Sequence, residues 1–347
     1  MKDYITYNDT LIFCPYYDKS IELDLLETYN KIIFSNYELT DNLFLKYSNN
    51  DLNDLKYIGS KFNQPIVLSP NLTMITFGED FNQLIELPEK ITHLTFGCFF
   101  NKPVKLSPNI TYLIFGCSFN QPVKLPEKLT HLTFCSSFNQ PVKLPEKLTH
   151  LTFGTEFNRY VKLPEKLTHL TFGMKFNQLI QLNKNLTQIT FGVNFNQPII
   201  LPENLTEITF GEGFNQLIEL PEKITHLTFG FTFNQPIVLP ENLTHIIFGY
   251  YFNQPIELPE NLTHIILGYN FNQKVDFPFG LKYLKLEHDV SHNLDYLPMG
   301  IEVLELGHRF NSPLDNLPNS LLVIKLYKNY KRTLKCIHSN TKIEYYE

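Results

Sequence analysis

Regularly spaced histidines are the residues of this sequence whose type and spacing could support chemistry. They form two runs with a step of 19 residues, His131, His150 and His169, and then His226, His245 and His264. An imidazole transfers protons near neutral pH or ligates a metal ion. A zinc centre needs three or four ligands that converge on one point, whereas equivalent positions of a repeat lie in a row. We therefore expect no metal site, and either a solvated repeat surface or a surface that contacts a protein.

Motifs of known catalytic chemistry are absent from the sequence. It contains no glycine-rich phosphate loop and no His-Glu-x-x-His zinc motif. Its histidines, threonines and glutamates belong to repeated columns and not to one special constellation. The sequence therefore predicts a protein that is not an enzyme, with no catalytic residue, no cofactor and no bound metal.

Composition and charge narrow the class of partner. The formal net charge of the 347 residues is −6, which argues against nucleic acid because such a surface needs a basic surplus. The first 13 residues do not resemble a secretory signal, and no window approaches the roughly 18 apolar residues of a membrane helix. Five cysteines without metal-ligand spacing are typical of a reducing compartment. We expect a cytoplasmic monomer with a protein partner, no nucleic acid and no membrane.

The histidines belong to a 19-residue repeat that fills most of the chain. Its unit reads Phe-Asn-Gln-Pro-Ile-x-Leu-Pro-Glu-x-Leu-Thr-His-Leu-Thr-Phe-Gly-x-x. The Phe-Asn pair recurs at Phe62, Phe81, Phe100, Phe119, Phe138, Phe157, Phe176, Phe195, Phe214, Phe233, Phe252 and Phe271. Residues 61–285 are the regular repeats. Residues 1–60 are interpreted as degenerate repeats that cap one end, and residues 286–347 as diverged repeats of 19–20 residues with a second cap.

Each unit combines a strand pattern with prolines that exclude a helix. Apolar and polar residues alternate from His131 to Phe134, as in a strand with one buried face. Prolines at two places per unit, such as Pro122 and Pro126, block a helix on the remaining path. The sequence therefore predicts a mainly β fold, a parallel β-solenoid of 19–20-residue turns without helices on the return side. Strands of degenerate repeats are expected at residues 11–13, 32–34, 57–59, 304–306 and 324–326. Residues 343–346 are expected to cover the C-terminal end of the solenoid.

The remaining candidate residues occupy either the same position of every repeat or positions that vary between repeats. The asparagine after each phenylalanine is interpreted as a structural ladder that satisfies backbone amides. Its members include Asn120, Asn139, Asn158, Asn177 and Asn196. The two positions after the glycine vary from turn to turn. An aromatic patch at these positions is interpreted as a candidate for partner contact, with the alternative that one or two of its rings are buried in the loop. The patch consists of Phe231, Tyr250, Tyr251 and Tyr269.

A basic column is a further candidate surface. It consists of Lys105, Lys124, Lys143 and Lys162, at one position of four successive units. Glutamates such as Glu127 and Glu146 are interleaved with it. The column is therefore interpreted either as a solvated, self-neutralised face or as a surface for an acidic partner.

The repeat resembles two known kinds of sequence. Its strand half, Leu-x-x-Leu-x-Phe, resembles the core of leucine-rich repeats. With Leu-Pro-x-x-Leu before it, it is most similar to the short repeats of bacterial effector proteins. The Phe-Asn-Gln-Pro-Ile block is similar to the FNIP repeat of social amoebae and of giant viruses that infect amoebae, mimivirus above all. The resemblance implies a leucine-rich-repeat-like solenoid and, for a viral protein, the cytoplasm of the host cell.

The residues and the resemblance lead to one main hypothesis on function and two alternatives. The main hypothesis is a non-enzymatic scaffold that binds a host or viral protein through the strand face or the adjacent loops. Some FNIP relatives carry an N-terminal F-box, which implies a ubiquitin-ligase substrate receptor, although the first 60 residues lack the helical pattern of an F-box. The other alternative is a structural or particle-associated protein.

Overall fold

The computed structural model describes residues 3–38, 55–287, 297–308, 310, 314, 317–331 and 341–346. The chain divides into two compact units, Met1–Gly173 and Met174–Glu347, which we call unit 1 and unit 2. No helix in the described ranges is long and apolar enough to cross a membrane.

Unit 1 is a ladder of short strands joined by extended returns. Its strands are β1 (Tyr4–Tyr7), β2 (Thr10–Phe13), β3 (Lys31–Phe34), β4 (Met74–Thr76), β5 (His93–Thr95), β6 (Tyr112–Phe115), β7 (His131–Phe134), β8 (His150–Phe153) and β9 (His169–Thr171). The first two strands form an antiparallel pair. From β2 to β9 each strand pairs in parallel with the next. A five-residue helix, α1 (Leu23–Glu27), lies between β2 and β3 and is the single helix in the described part of the chain.

Unit 2 has the same pattern, with parallel pairing throughout its described residues. Its strands are β10 (Gln188–Thr190), β11 (Glu207–Thr209), β12 (His226–Thr228), β13 (His245–Ile247), β14 (His264–Leu267), β15 (Tyr283–Leu286), β16 (Val303–Leu306), β17 (Val323–Tyr327) and β18 (Lys342–Tyr346). Paired residues are 19 positions apart, as Leu227 and Ile246, or 20 apart, as Leu284 and Leu304. The prediction of a mainly β, parallel solenoid with 19–20-residue turns is therefore confirmed in each unit.

Two columns of phenylalanine fill the interior of the turns. In the turn of β7, Phe134 ends the strand and Phe138 follows the loop, with ring centroids 3.7 Å apart and an interplanar angle of 7°. Phe134 also stacks on Phe115 at 5.3 Å and on Phe153 at 5.8 Å, the equivalent rings of the neighbouring turns. All four rings are at most 1% exposed, and burying one contributes roughly 1.5–3 kcal/mol. Stacking therefore supplies the core that a single turn cannot close.

The extended return path lies outside the strand ladder, and asparagine side chains bond its backbone. The N–H of Asn139 donates to Oδ1 of Asn120 at 3.0 Å, and the N–H of Asn158 donates to Oδ1 of Asn139 at 3.1 Å. In unit 2 the N–H of Asn196 donates to Oδ1 of Asn177 at 3.0 Å. Each asparagine thus accepts from a backbone donor of the next turn, a donor that needs a partner when it is removed from water.

A column of glycines follows the strands and lets successive turns approach closely. A Cβ atom built on Gly116 would clash with the carbonyl oxygen of Gly97, and one built on Gly249 would clash with that of Gly230. Cys135 occupies this position in the turn of β7, where its N–H donates to the carbonyl of Phe115 at 3.3 Å. A side chain here therefore requires a local rearrangement, and glycine permits the regular backbone contact.

The ends of the chain show where the sequence prediction holds and where it fails. Strands form as predicted at residues 11–13, 32–34, 304–306 and 324–326. The prediction of a strand at 57–59 is wrong. Tyr57 forms only an isolated antiparallel bridge with Tyr37, and β3 pairs directly with β4. The segment predicted to cover the other end is β18, which pairs in parallel with β17 as a further rung. Parts of both predicted caps, residues 39–54, 288–296 and 332–340, lie outside the described residues.

Candidate interaction surfaces

Two columns of histidine line the outward face of the strands. His131, His150 and His169 begin β7, β8 and β9 and lie opposite one another in the parallel pairs. Their rings stack with centroids 4.3 and 4.2 Å apart and interplanar angles of 11° and 13°. In unit 2 the same stacking, at 4.3 and 4.2 Å, is found in His226, His245 and His264. We call these two sets the histidine columns of unit 1 and unit 2.

The threonine before each of these histidines orients its ring. Oγ1 of Thr149 donates to the carbonyl oxygen of Thr130 at 3.0 Å and lies 2.9 Å from Nδ1 of His150. A hydroxyl has one hydrogen to donate, so Nδ1 of His150 carries a hydrogen and donates it to Oγ1. The neutral ring then keeps Nε2 as an acceptor. The same Oγ1–Nδ1 contact recurs at 2.8–2.9 Å for the other column histidines.

Partial burial and stacking lower the pKa values of several column histidines. For His150 the largest cause is desolvation, and repulsion from the charges of protonated His131 and His169 adds to it. The pKa values of His245 and His264 are lowered by desolvation first and by neighbouring histidines second. These three rings are therefore neutral at neutral pH, and they offer hydrogen bonds and not positive charge.

The geometry of the columns does not suit a metal centre. In the described ranges, no group of three or more histidine, cysteine, aspartate or glutamate side chains could hold a metal ion. Parallel stacked rings place their nitrogens in a row, whereas zinc requires donors arranged around one point. The columns are therefore flat, polar surfaces that can exchange hydrogen bonds with a protein or with water.

The structure extends each histidine column by a tyrosine. The ring of Tyr112 lies 5.7 Å from that of His131, and Tyr283 stacks on His264 at 5.8 Å. Tyr283 also donates its hydroxyl to Glu305 at 2.9 Å, and burial together with this bond raises the pKa of Tyr283 to about 12. Both tyrosines occupy the histidine position of their repeats. The 19-residue spacing was therefore a signal that could have added them to the candidates.

The four aromatic candidates form one cluster at the loops after β12, β13 and β14. Phe231 stacks on Tyr250 at 4.7 Å, and Tyr250 stacks on Tyr269 at 4.6 Å. Tyr251 meets Phe231 and Tyr250 edge-on at 5.1 and 5.0 Å. Phe231 is 44% and Tyr251 45% exposed, while Tyr250 and Tyr269 are half-buried. The rings therefore support one another in a fixed array, which we call the aromatic cluster.

Solved structures similar to this chain are leucine-rich-repeat proteins. YopM from Yersinia enterocolitica is 18% identical, with a TM-score of 0.62 and coverage of 95% of this chain and 76% of its own. This similarity shows a leucine-rich-repeat-like fold. CroV588, described as a novel circular leucine-rich-repeat protein, is 29% identical over 96% of this chain and 71% of its own, with a TM-score of 0.48.

Sequence comparison places the repeat in a family. No curated protein sequence matches the chain. The profile of the family described as FNIP Repeat matches residues 62–99, 100–137, 138–175, 176–213, 195–232, 214–251, 233–258, 252–289 and 292–329. These matches cover most of the chain and extend over turns of both units, and the chain therefore belongs to the FNIP repeat family.

Proposed function

We propose that this protein is a non-enzymatic scaffold for protein–protein interaction, which binds a host or viral protein through the aromatic cluster and the adjacent strand face. The leucine-rich-repeat-like fold supports the proposal, because stacked turns present an extended surface suited to binding. The observation that carries the proposal is the partly exposed aromatic cluster of unit 2.

The aromatic cluster differs from the equivalent loops of other turns. Several of those loops hold small or polar residues, such as Ser136 and Ser137 or Thr155 and Glu156, and the loop after β5 holds a single aromatic residue, Phe99. Large aromatic side chains supply much of the energy of binding hot spots. Rings that are already fixed by stacking also lose little conformational entropy when a partner binds. The cluster is therefore a pre-organised contact surface.

The histidine column of unit 2 lies on the same three turns as the aromatic cluster. Its residues begin β12, β13 and β14, and the aromatic residues occupy the loops after those strands. A partner on these turns would meet hydrogen-bonding imidazole rings beside apolar rings. Such a combination of an apolar centre and polar surroundings is typical of protein interfaces. We therefore assign the main contact to these three turns.

Affinity capture from a lysate of amoebae tests the aromatic cluster. The bait is the full chain, as wild type and as Phe231→Ser/Tyr251→Ser. Truncating these two rings should weaken the binding of the captured partner by at least about 2 kcal/mol, which raises Kd roughly 30-fold. Phe99→Ser is the matched control, since Phe99 is 50% exposed at the loop position equivalent to Tyr251. An unchanged set of partners with the double variant would refute the assignment to the cluster.

Arginine substitutions in the two histidine columns test the strand face. Changing His226, His245 and His264 to Arg adds charge beside the aromatic cluster, and should weaken binding of the same partner. Changing His131, His150 and His169 to Arg is the matched control, because these rings have the same stacking in the turns of β7 to β9. Equal binding by both variants and the wild type would move the binding site off the strand face.

We place this interaction in the cytoplasm, and the state of the cysteines supports that location. The described cysteines Cys14, Cys98, Cys117 and Cys135 are free thiols. Burial raises the pKa values of the Cys98 and Cys135 thiols to about 11, so these thiols stay protonated and react slowly. Free, unreactive thiols suit a reducing compartment. Fluorescence imaging of the tagged full chain would test the location, and a secreted product would contradict it.

A further inference from the structure

Four lysines form an exposed column on the return side of unit 1. Lys105, Lys124, Lys143 and Lys162 occupy the sixth position of successive repeats, and all four are exposed. Equivalent positions of stacked turns lie about 4.8 Å apart, so the four ammonium groups repel one another at close range. No ion pair joins any of them to another side chain in the described part of unit 1. The interleaved glutamates therefore do not neutralise this lysine column by direct contact.

Over four successive turns of unit 2, between Gln181 and Asp276, the same repeat position holds alternating apolar and acidic residues. In chain order these are Ile200, Glu219, Val238 and Glu257, which we call the alternating column. Ile200 is 90% and Val238 88% exposed, which is unusual for β-branched apolar side chains. Glu219 and Glu257 are also exposed. Neither glutamate forms an ion pair with a side chain of the described residues.

Grooves beside the apolar members include acidic side chains in their lining. A groove of about 720 Å³ runs along Ile200 and Leu217 and has Glu219 in its lining. A second groove, of about 680 Å³, runs along Val238 and has Glu257 in its lining. A lysine side chain has an apolar stem and a cationic end. Each groove therefore combines the apolar and acidic surfaces that a lysine side chain needs.

Charge is segregated between the two parts of the chain in which these columns lie. Residues 100–173 contain nine basic and four acidic side chains. Residues 201–262 contain one basic and eight acidic side chains. The two blocks are therefore complementary, and a contact between them would relieve the repulsion within each.

We propose that the lysine column of one copy of this chain docks onto the alternating column of a second copy. The stems of its lysines pack along Ile200 and Val238, and their ammonium groups pair with Glu219 and Glu257. A second copy fits better than an unrelated acidic protein because both columns have the spacing of stacked turns. With one turn facing one turn, every second lysine lies opposite a glutamate, and the others lie opposite Ile200 and Val238. The contact joins two different surfaces, so each copy keeps one surface open for a further copy.

Sedimentation velocity of the full chain tests this association. At 20 mM NaCl the sedimentation coefficient should rise with protein concentration between 1 and 100 µM, and at 500 mM NaCl it should stay at the monomer value, because salt screens exposed charges. The experiment also decides between this assembly and the monomer predicted from the sequence. A sedimentation coefficient that is independent of concentration at 20 mM NaCl would overturn the proposal.

Charge reversal identifies the two columns. Lys124→Glu/Lys143→Glu and Glu219→Lys/Glu257→Lys should each abolish association, because the first variant leaves the lysine column without net charge and the second makes both columns positive. An equimolar mixture of the two variants should associate again, because each supplies the complement of the other. Lys90→Glu/Lys175→Glu has the same change of net charge outside both columns and should associate as the wild type does.

The mixture is the decisive measurement of the pairing. Association of either reversed variant alone, or failure of two folded variants to associate when mixed, would refute the pairing of these columns. Circular dichroism confirms that each variant is folded, and the salt dependence of the wild type is measured independently of all variants. Binding of poly-glutamate to the wild type, without self-association, would replace the second copy by an acidic partner of another kind. This inference does not depend on the function proposed above, because it concerns neither the aromatic cluster nor the strand face.

Discussion

Replacing Asn120 by alanine tests whether the asparagine ladder holds the return path together. Oδ1 of Asn120 accepts two hydrogen bonds from the next turn, one from the N–H of Asn139 at 3.0 Å and one from Nε2 of Gln140 at 3.2 Å. Alanine removes both bonds. The side chain of Gln140 can turn toward water, but the N–H of Asn139 belongs to the backbone of a half-buried residue.

The size of the destabilisation by Asn120→Ala follows from the loss of the hydrogen-bond partner of the Asn139 N–H. An unsatisfied buried donor costs roughly 1–3 kcal/mol, and half-burial places this N–H at about 1–2 kcal/mol. The cost stays local, because each turn of a solenoid contacts only its neighbours. The equilibrium for local opening at Asn139 should therefore increase by about 5- to 30-fold, since 1.4 kcal/mol corresponds to a factor of ten.

Hydrogen exchange of the Asn139 amide, followed by NMR under native conditions, measures this opening. Asn120→Asp is the matched control, because a carboxylate oxygen still accepts the hydrogen bond, and exchange should stay near the wild-type rate. Asn270→Ala changes an exposed loop asparagine and should leave the Asn139 amide unaffected. If Asn120→Ala and Asn120→Asp exchange alike, within twofold of wild type, the ladder does not stabilise the return path.

Three further predictions concern the core, the glycine column and pH. Phe134→Ala should lower the free energy of unfolding by about 3–5 kcal/mol in a urea titration, whereas Phe99→Ala, at a ring that is 50% exposed, should change it by about 0.5 kcal/mol or less. Gly249→Ala should lower the free energy of unfolding by about 1–3 kcal/mol, because the new Cβ is overpacked against the carbonyl of Gly230. Gly280→Ala should lower it less, since the atom nearest to its new Cβ is 3.6 Å away. An equal decrease of Tm in both variants would contradict the role of backbone contact. The lowered pKa values of His131, His150, His245 and His264 mean that the unfolded chain binds protons first, so stability should be constant above about pH 7 and fall as pH drops below about 6.5. Changing one column to glutamine should flatten the dependence of Tm on pH, and an unchanged curve would refute this cause.

The repeat made the regular part of the fold predictable, and features that occur once were not predictable. The strand pattern is present in twelve in-phase copies, so the period fixes both the pairing partner and the buried face. The antiparallel pairing of β1 with β2 and the five-residue α1 have no counterpart in the repeat. At Tyr57 a short apolar run indicates extended backbone, but it carries no information on which segment will be its partner.

Candidate residues could be chosen from the sequence, while their contacts depend on the stacking of turns. The sequence shows that the residue type changes at Phe231 and Tyr250. That these two rings stack follows only from the distance between successive turns in the structure. The bond from Nδ1 of His150 to Thr149 links neighbours in sequence, yet it follows only because the hydroxyl is already donated to the previous turn. The columns can therefore be found in the sequence, whereas the hydrogen bonds of the histidine rings and the exposed surfaces follow from the structure.

The pairing of residues 19 or 20 positions apart also has a consequence for how the chain folds. Within the regular repeats the loop closed at each step has 19 or 20 residues, so the entropy lost in adding a turn does not grow as the array becomes longer. Every new turn buries the phenylalanine face that the previous turn leaves open. Folding can therefore start in any pair of adjacent turns and spread in both directions, and adding whole repeats to the chain should leave the rate of each step unchanged.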